Sequence, residues 1–134
     1  METKLFDGEK KELSSIRKFV KDFLVKIKVK DDLQYQLLLV VGEATMNIVQ
    51  HAYKGGNKLK KIKVELQSYN EFIQIDLFDQ GYKADPKKIK PRKLEDIKPG
   101  GLGTHFIKMV MDEVKWLNGE NDWVNHLRLI KKII

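Results

Sequence analysis

A carboxylate and a carboxamide one helical turn apart, Glu43 and Asn47, sit in the stretch Val40-Val41-Gly42-Glu43-Ala44-Thr45-Met46-Asn47-Ile48-Val49-Gln50-His51-Ala52-Tyr53. Residues four apart lie one above the other on a helix, so the pair shares a face, which Gln50 and Lys54 continue. The opposing stripe, Leu33, Leu37, Val41, Ala44, Ile48 and Ala52, is apolar and must pack on something. Polar groups beside such a stripe are either paired locally or aimed at a ligand. Two further stretches carry chemistry. Phe72-Ile73-Gln74-Ile75-Asp76-Leu77-Phe78-Asp79-Gln80-Gly81 alternates like a strand and ends in Asp-x-Gly, and Pro99-Gly100-Gly101-Leu102-Gly103-Thr104 opens a second helical pattern. Gly101 and Gly103 allow close approach of backbone to phosphates, and a helix beginning near Thr104 offers free amide donors at its positive end.

The elements that must position these groups follow from periodicity. Lys10 to Lys28 reads as an amphipathic helix with Leu13, Ile16, Phe19, Val20, Phe23, Leu24 and Ile27 on one side. Asp31 or Asp32 is expected to cap the long helix that follows, and Lys54-Gly55-Gly56-Asn57 to end it. Ile62, Val64 and Leu66 alternate with Lys61, Lys63, Glu65 and Gln67, a half-exposed strand. The turn Ser68-Tyr69-Asn70-Glu71 then joins it to the strand ending at Asp79 in an antiparallel hairpin. Asp79 has the parity of Ile73, Ile75 and Leu77 and should point toward the helices. Tyr82 to Gly101 has no convincing period, and a loop of that length is usually functional or disordered. Thr104 to Met111 reads as a helix, and Val114 to Leu117 with Trp123 to Ile130 as two last strands. The fold class is α/β (α+β), a two-layer sandwich with a mixed, mainly antiparallel sheet and helices on one face.

Length and composition bound the rest. A chain of 134 residues that is 42% hydrophobic supplies one core, hence a single domain over 1–134. Cysteine is absent, which excludes disulfides and thiolate metal sites and favours a reducing compartment. The N-terminus is charged and lacks the apolar run of a signal peptide, and no stretch reaches the roughly 20 apolar residues of a membrane span. The expected location is cytoplasmic. A net charge of +7 attracts polyanions, yet the lysines lie in short scattered runs and the aromatics fall at apolar positions, so direct nucleic-acid binding is not expected. His51, His105 and His126 lack metal-ligand spacing, and His51 is read as a packing residue bracing the helix end. The Walker and eukaryotic-type protein-kinase motifs are missing.

Taken in order, Glu-x-x-x-Asn-x-x-x-His-Ala-Tyr on a helix, Asp-x-Gly at a strand end and Gly-Gly-Leu-Gly before a helix resemble the nucleotide site of the GHKL (histidine-kinase-like) ATPase superfamily. Within it the chain is most similar to the small anti-sigma-factor serine-protein kinases of bacterial partner-switching systems. The resemblance implies ATP and Mg2+ as cofactors, with Asn47 holding the magnesium and Glu43 as the general base toward a protein serine or threonine hydroxyl. It gives Asp79 and Gly81 the adenine corner, Gly101, Leu102, Gly103 and Thr104 the phosphates, and the segment of about 82–101 the role of ATP lid. A carboxylate at Asp79 accepts from the exocyclic amino group of adenine, where guanine would present an opposing acceptor. Many superfamily members carry Asp-x-Gly-x-Gly, and this chain has Lys83 at the last glycine position. The implied partners are a STAS-domain anti-anti-sigma protein, a sigma factor and a second copy of the chain as homodimer, with Arg17 on the first helix as a partner contact. Two other readings stay open: a catalytically slow, nucleotide-dependent protein-binding module of the same fold, and a basic nucleic-acid-binding domain.

Overall fold

The computed structural model describes residues 1–81 and 102–134. The segment expected to form the lid, and Gly101 with it, lies outside the described residues. The chain runs β1 (Glu2–Gly8), a 3-10 turn (Lys10–Glu12), α1 (Leu13–Lys26), α2 (Asp31–Asn47), a π-helical turn (Ile48–Ala52), β2 (Asn57–Tyr69), β3 (Phe72–Asp79), α3 (Leu102–Val110), β4 (Glu113–Asn118) and β5 (Asn125–Lys132). The strands form one five-stranded sheet in the order β1-β2-β3-β5-β4, and each of its pairings is antiparallel. The helices cover one face of it. This is the expected two-layer α+β sandwich, with a sheet that is antiparallel throughout the described residues where a mixed, mainly antiparallel one was expected.

The two periodicities explain the layering. Leu13, Ile16, Val20, Phe23 and Leu24 of α1 recur at helical spacing, as do Leu37, Val40, Val41 and Ala44 of α2 with Ile48 of the π-helical turn, and all are buried. They meet Ile62, Val64 and Leu66 of β2, Ile73, Ile75 and Leu77 of β3 and Leu127 and Leu129 of β5 in one core. Burying each such side chain contributes about 1.5–3 kcal/mol. The β2–β3 hairpin turns through Asn70 at φ 52° and pairs Tyr69 with Phe72.

Three local expectations are corrected. Neither Asp31 nor Asp32 caps α2: the capping position is Lys30, without a side-chain cap, and both aspartates lie in the first turn. There they face the positive end of the helix dipole, and Asp32 accepts the Leu33 N–H at 2.9 Å. The first strand, β1, has no counterpart in the sequence reading. His51 does not pack; it is exposed. The reason is the π-helical turn, in which Tyr53 N donates to Ile48 O at 2.9 Å, one residue wider than an α-helical bond. That widening retards the rotation of the chain, leaving His51 in solvent and turning Tyr53 into the core.

The helix-free face of the sheet carries a polar network. Asp76 is buried, accepting Gln74 Nε2 at 2.8 Å and Arg128 Nε at 2.9 Å and pairing with His126 Nε2 at 2.6 Å. Next to it the His126 ring stacks on Phe78, with Lys63 Nζ 4.2 Å above the Phe78 centroid and 5.0 Å from that of Trp123.

Candidate functional site

The polar residues singled out in the sequence gather along one edge of the helix layer, where the end of α2 meets the end of β3 and the start of α3. Glu43 is exposed on α2, and Asn47 follows one turn later, half-buried. Gly103, in the first turn of α3, is buried against Glu43: a Cβ built there would overlap Glu43 Oε2 and lie 3.2 Å from its Cδ. Glycine at 103 leaves the Glu43 carboxylate in this position, from which a larger residue would displace it. A carboxylate thus stands beside the amide-rich start of a helix. Leu102 begins α3, and Thr104 is half-buried in its first turn.

Asp79 closes the other end. Parity along β3 turns its side chain inward, as expected, and it is 5% exposed. Its Oδ1 accepts both Asn125 Nδ2 at 2.8 Å and the Gly81 N–H at 2.9 Å. Burial pushes the Asp79 carboxyl above its ordinary 3.8, opposed by those two hydrogen bonds and by the charge of Lys60. Gly81 is needed because of the helix: a Cβ there would sit 2.5 Å from the Ala52 carbonyl oxygen and 2.6 Å from its Cβ. The strand end therefore presses on the π-helical turn.

Two residues that sequence reasoning left without a role hold this corner. Tyr53 donates its hydroxyl to the Lys61 carbonyl and accepts the Gln80 N–H at 2.7 Å, so one phenol fixes β2 and the peptide between Asp79 and Gly81. Its ring lies where a Cβ on Gly8 would fall, and burial pushes the phenol up to about 12. Asn125 reaches Asp79 from β5, and the Val124 N–H adds a bond to Asp79 O at 2.8 Å. A tyrosine just before the Lys54-Gly55-Gly56 helix stop was the one sequence signal for the first. Nothing local marks Asn125.

Arg17 stands apart from this corner, against Gly42 of α2. It is exposed on α1, and its Cδ lies 3.8 Å from where a Cβ on Gly42 would be. The structure thus places Glu43, Asn47, Asp79, Gly81, Leu102, Gly103 and Thr104 around the α2, β3 and α3 ends, with Arg17 along the outer side of α2.

A helix layer on an antiparallel sheet, with acid and amide along one helix and Asp-x-Gly at the neighbouring strand end, is the arrangement expected from the GHKL resemblance. The chain belongs to the histidine kinase-like ATPase domain family, whose model matches residues 6–131. Among curated relatives, it is 29% identical over 102 residues to the serine-protein kinase RsbW of Staphylococcus epidermidis, covering 70% of this chain and 64% of that protein. It is 33% identical over 92 residues to RsbW of Bacillus licheniformis, covering 63% and 56%. The chain thus spans less than two thirds of the length of these relatives. Among solved structures, it is similar to the SiaB-SiaC complex from Pseudomonas aeruginosa, with a TM-score of 0.67, 16% identity and 95% and 88% of the two chains covered. It is likewise similar to the RsbU and RsbW domains of Rv1364c from Mycobacterium tuberculosis, with a TM-score of 0.66, 12% identity and 99% and 33% covered. At such identities the structures bear on the fold alone. Among the described residues no helix is long and apolar enough to cross a membrane.

Proposed function

We propose that the chain is an ATP-dependent serine/threonine-protein kinase of the anti-sigma-factor type, acting in the cytoplasm. The observation that carries this reading is the placement of Glu43 beside Gly103 at the start of α3, one turn from Asn47 and on the same edge as buried Asp79. The donor set fits Mg-ATP. Asp79 is a buried carboxylate able to accept from an adenine amino group, Asn47 offers a neutral carbonyl oxygen to Mg2+, and glycine at 81 and 103 leaves backbone where a side chain would intrude. When bound, Mg-ATP supplies the terminal phosphoryl group and most of the charge that must be held.

The chain's own residues then have separate tasks. Asn125 and the Gly81 amide orient the Asp79 carboxylate, and Tyr53 fixes the peptide beside it. The α3 amides, Leu102 to Thr104, receive phosphate oxygens. Glu43 takes the proton of the attacking hydroxyl, for which it must come within about 3 Å, directly or through one water. Glu43 is exposed, so a hydroxyl carried by a second protein can reach it. The relatives named as serine-protein kinases support a protein serine as the acceptor, and a STAS-type protein is the partner of this reading. A sigma factor and a second copy of the chain are further partners of this reading, and Arg17 is its contact residue on α1.

The test is incubation with γ-labelled ATP, Mg2+ and a purified STAS-domain protein from the same genome. Label on a serine or threonine of the partner supports the kinase reading. ATP binding without transfer favours the slow binding module instead.

A further inference from the structure

We propose that the exposed line Tyr35, Leu39 and Glu43 of α2, with Val25, Lys21 and Arg17 of α1 beside it, is the docking surface for the hydroxyl-bearing protein. This rests on the kinase reading above and deepens it. Tyr35, Leu39 and Glu43 are four residues apart and stack on one side of α2, so Leu39 lies about 6 Å and Tyr35 about 12 Å along the axis from the carboxylate. Neither is turned to the core: Tyr35 is 66% exposed and Leu39 41%. Half-buried Met46 continues the line past Glu43.

The neighbouring helix extends the patch. Arg17 lies against Gly42, and α1 runs antiparallel to α2 across a short connection, so its residues eight positions on fall near Gln34 and Tyr35. Val25, 55% exposed, is that residue, and Lys21 stands between it and Arg17 on the same side of α1. Scattered apolar side chains on a surface need no explanation, but exposed aromatic and aliphatic side chains spaced one turn apart and leading to the Glu43 carboxylate do. A domain of about 100 residues has a radius of gyration of about 13 Å, so one that brings a hydroxyl within about 3 Å of Glu43 is wide enough to cover Leu39 as well.

Charge specifies the occupant further. Lys18 is held by Asp22 at 3.3 Å, whereas Arg17 and Lys21 form no ion pair among the described residues. The surface therefore fits a small protein that presents its serine or threonine next to an apolar patch, with an acidic group at the rim facing Arg17 and Lys21. Aromatic and aliphatic anchors at the centre and a complementary charge at the edge are how such interfaces divide affinity from orientation.

The test compares unmodified protein with Leu39→Asp and Lys21→Glu, both exposed positions away from the nucleotide corner, using γ-labelled ATP and the STAS-domain protein. Leu39→Asp should raise KM for the protein substrate at least about tenfold, and Lys21→Glu should raise it more at low than at high salt, with kcat and ATP affinity changed by less than about twofold. Unchanged KM in both variants, with the unmodified protein active, overturns the docking surface and leaves the kinase reading standing. No transfer by the unmodified protein overturns both. If sedimentation finds a dimer that Leu39→Asp dissociates while KM stays the same, the strip serves a second copy and the proposal fails.

Discussion

Asn125 Nδ2 donates to Asp79 Oδ1 at 2.8 Å, joining the first residue of β5 to the last of β3 within the buried corner of the site. Desolvation raises the Asp79 pKa, so protonated Asp79 is favoured by folding. Its contribution to stability is complete below the ordinary value of 3.8 and is lost as the pH climbs through the raised folded value. A carboxamide at the same place is never ionised and keeps both hydrogen bonds through its oxygen. Asp79→Asn should therefore unfold at a higher temperature than the unmodified protein at pH 7, with the difference vanishing near pH 3. The same substitution should weaken ATP binding by about 10- to 100-fold, the scale of a lost hydrogen bond to a charged group. Thermal melts across pH and calorimetry with ATP and GTP check the two halves.

Glycines 81 and 103 respond differently to alanine. At 81 the added carbon meets the Ala52 backbone carbonyl, which cannot swing aside; at 103 it first meets the far end of the Glu43 side chain. Gly81→Ala is expected to cost about 1–3 kcal/mol of stability in urea unfolding, as overpacking does. Gly103→Ala should cost less stability and more activity, because relief comes from displacing Glu43.

Tyr53→Phe keeps the ring against Gly8 and deletes the hydroxyl that serves Lys61 O and Gln80 N. Leaving both backbone groups without that partner should cost about 1–3 kcal/mol. ATP affinity should fall as well, since the Gln80 peptide separates Asp79 from Gly81. In the unmodified protein the phenol should titrate only near 12, which ultraviolet titration can follow, and its raised pKa makes the fold lose stability as the pH rises from the ordinary 10.0 to about 12.

Asn47→Ala is expected to reduce ATP affinity measured with Mg2+ and to leave affinity measured in EDTA unchanged within about twofold. The expectation follows from a single neutral oxygen that serves the metal rather than the base or the sugar. Equal losses in both conditions would place Asn47 elsewhere in the site.

Much of this arrangement was legible because it is local. The alternation of Ile73, Ile75 and Leu77 fixed the inward direction of Asp79, and the four-residue spacing of Glu43 and Asn47 fixed their shared edge. What escaped is non-local or geometric. Strand β1 pairs Glu2 with Leu66 and is an edge strand in which only Phe6 and Gly8 are buried, so its own pattern is almost silent. The π-helical turn shifts which side chains face inward by a rule that hydrophobic periodicity does not encode, hence the exchange of His51 for Tyr53. Asn125 is 46 residues from Asp79, and only the β3–β5 register brings them together.

Single-turnover phosphotransfer at saturating Mg-ATP, from unmodified protein and Glu43→Gln to the STAS-domain partner, tests the central claim most directly. A carboxamide fills the space beside Gly103 but takes no proton, so transfer should fall by about 10²–10⁴-fold while ATP affinity stays within about twofold. Transfer at the unmodified rate by Glu43→Gln would contradict the account.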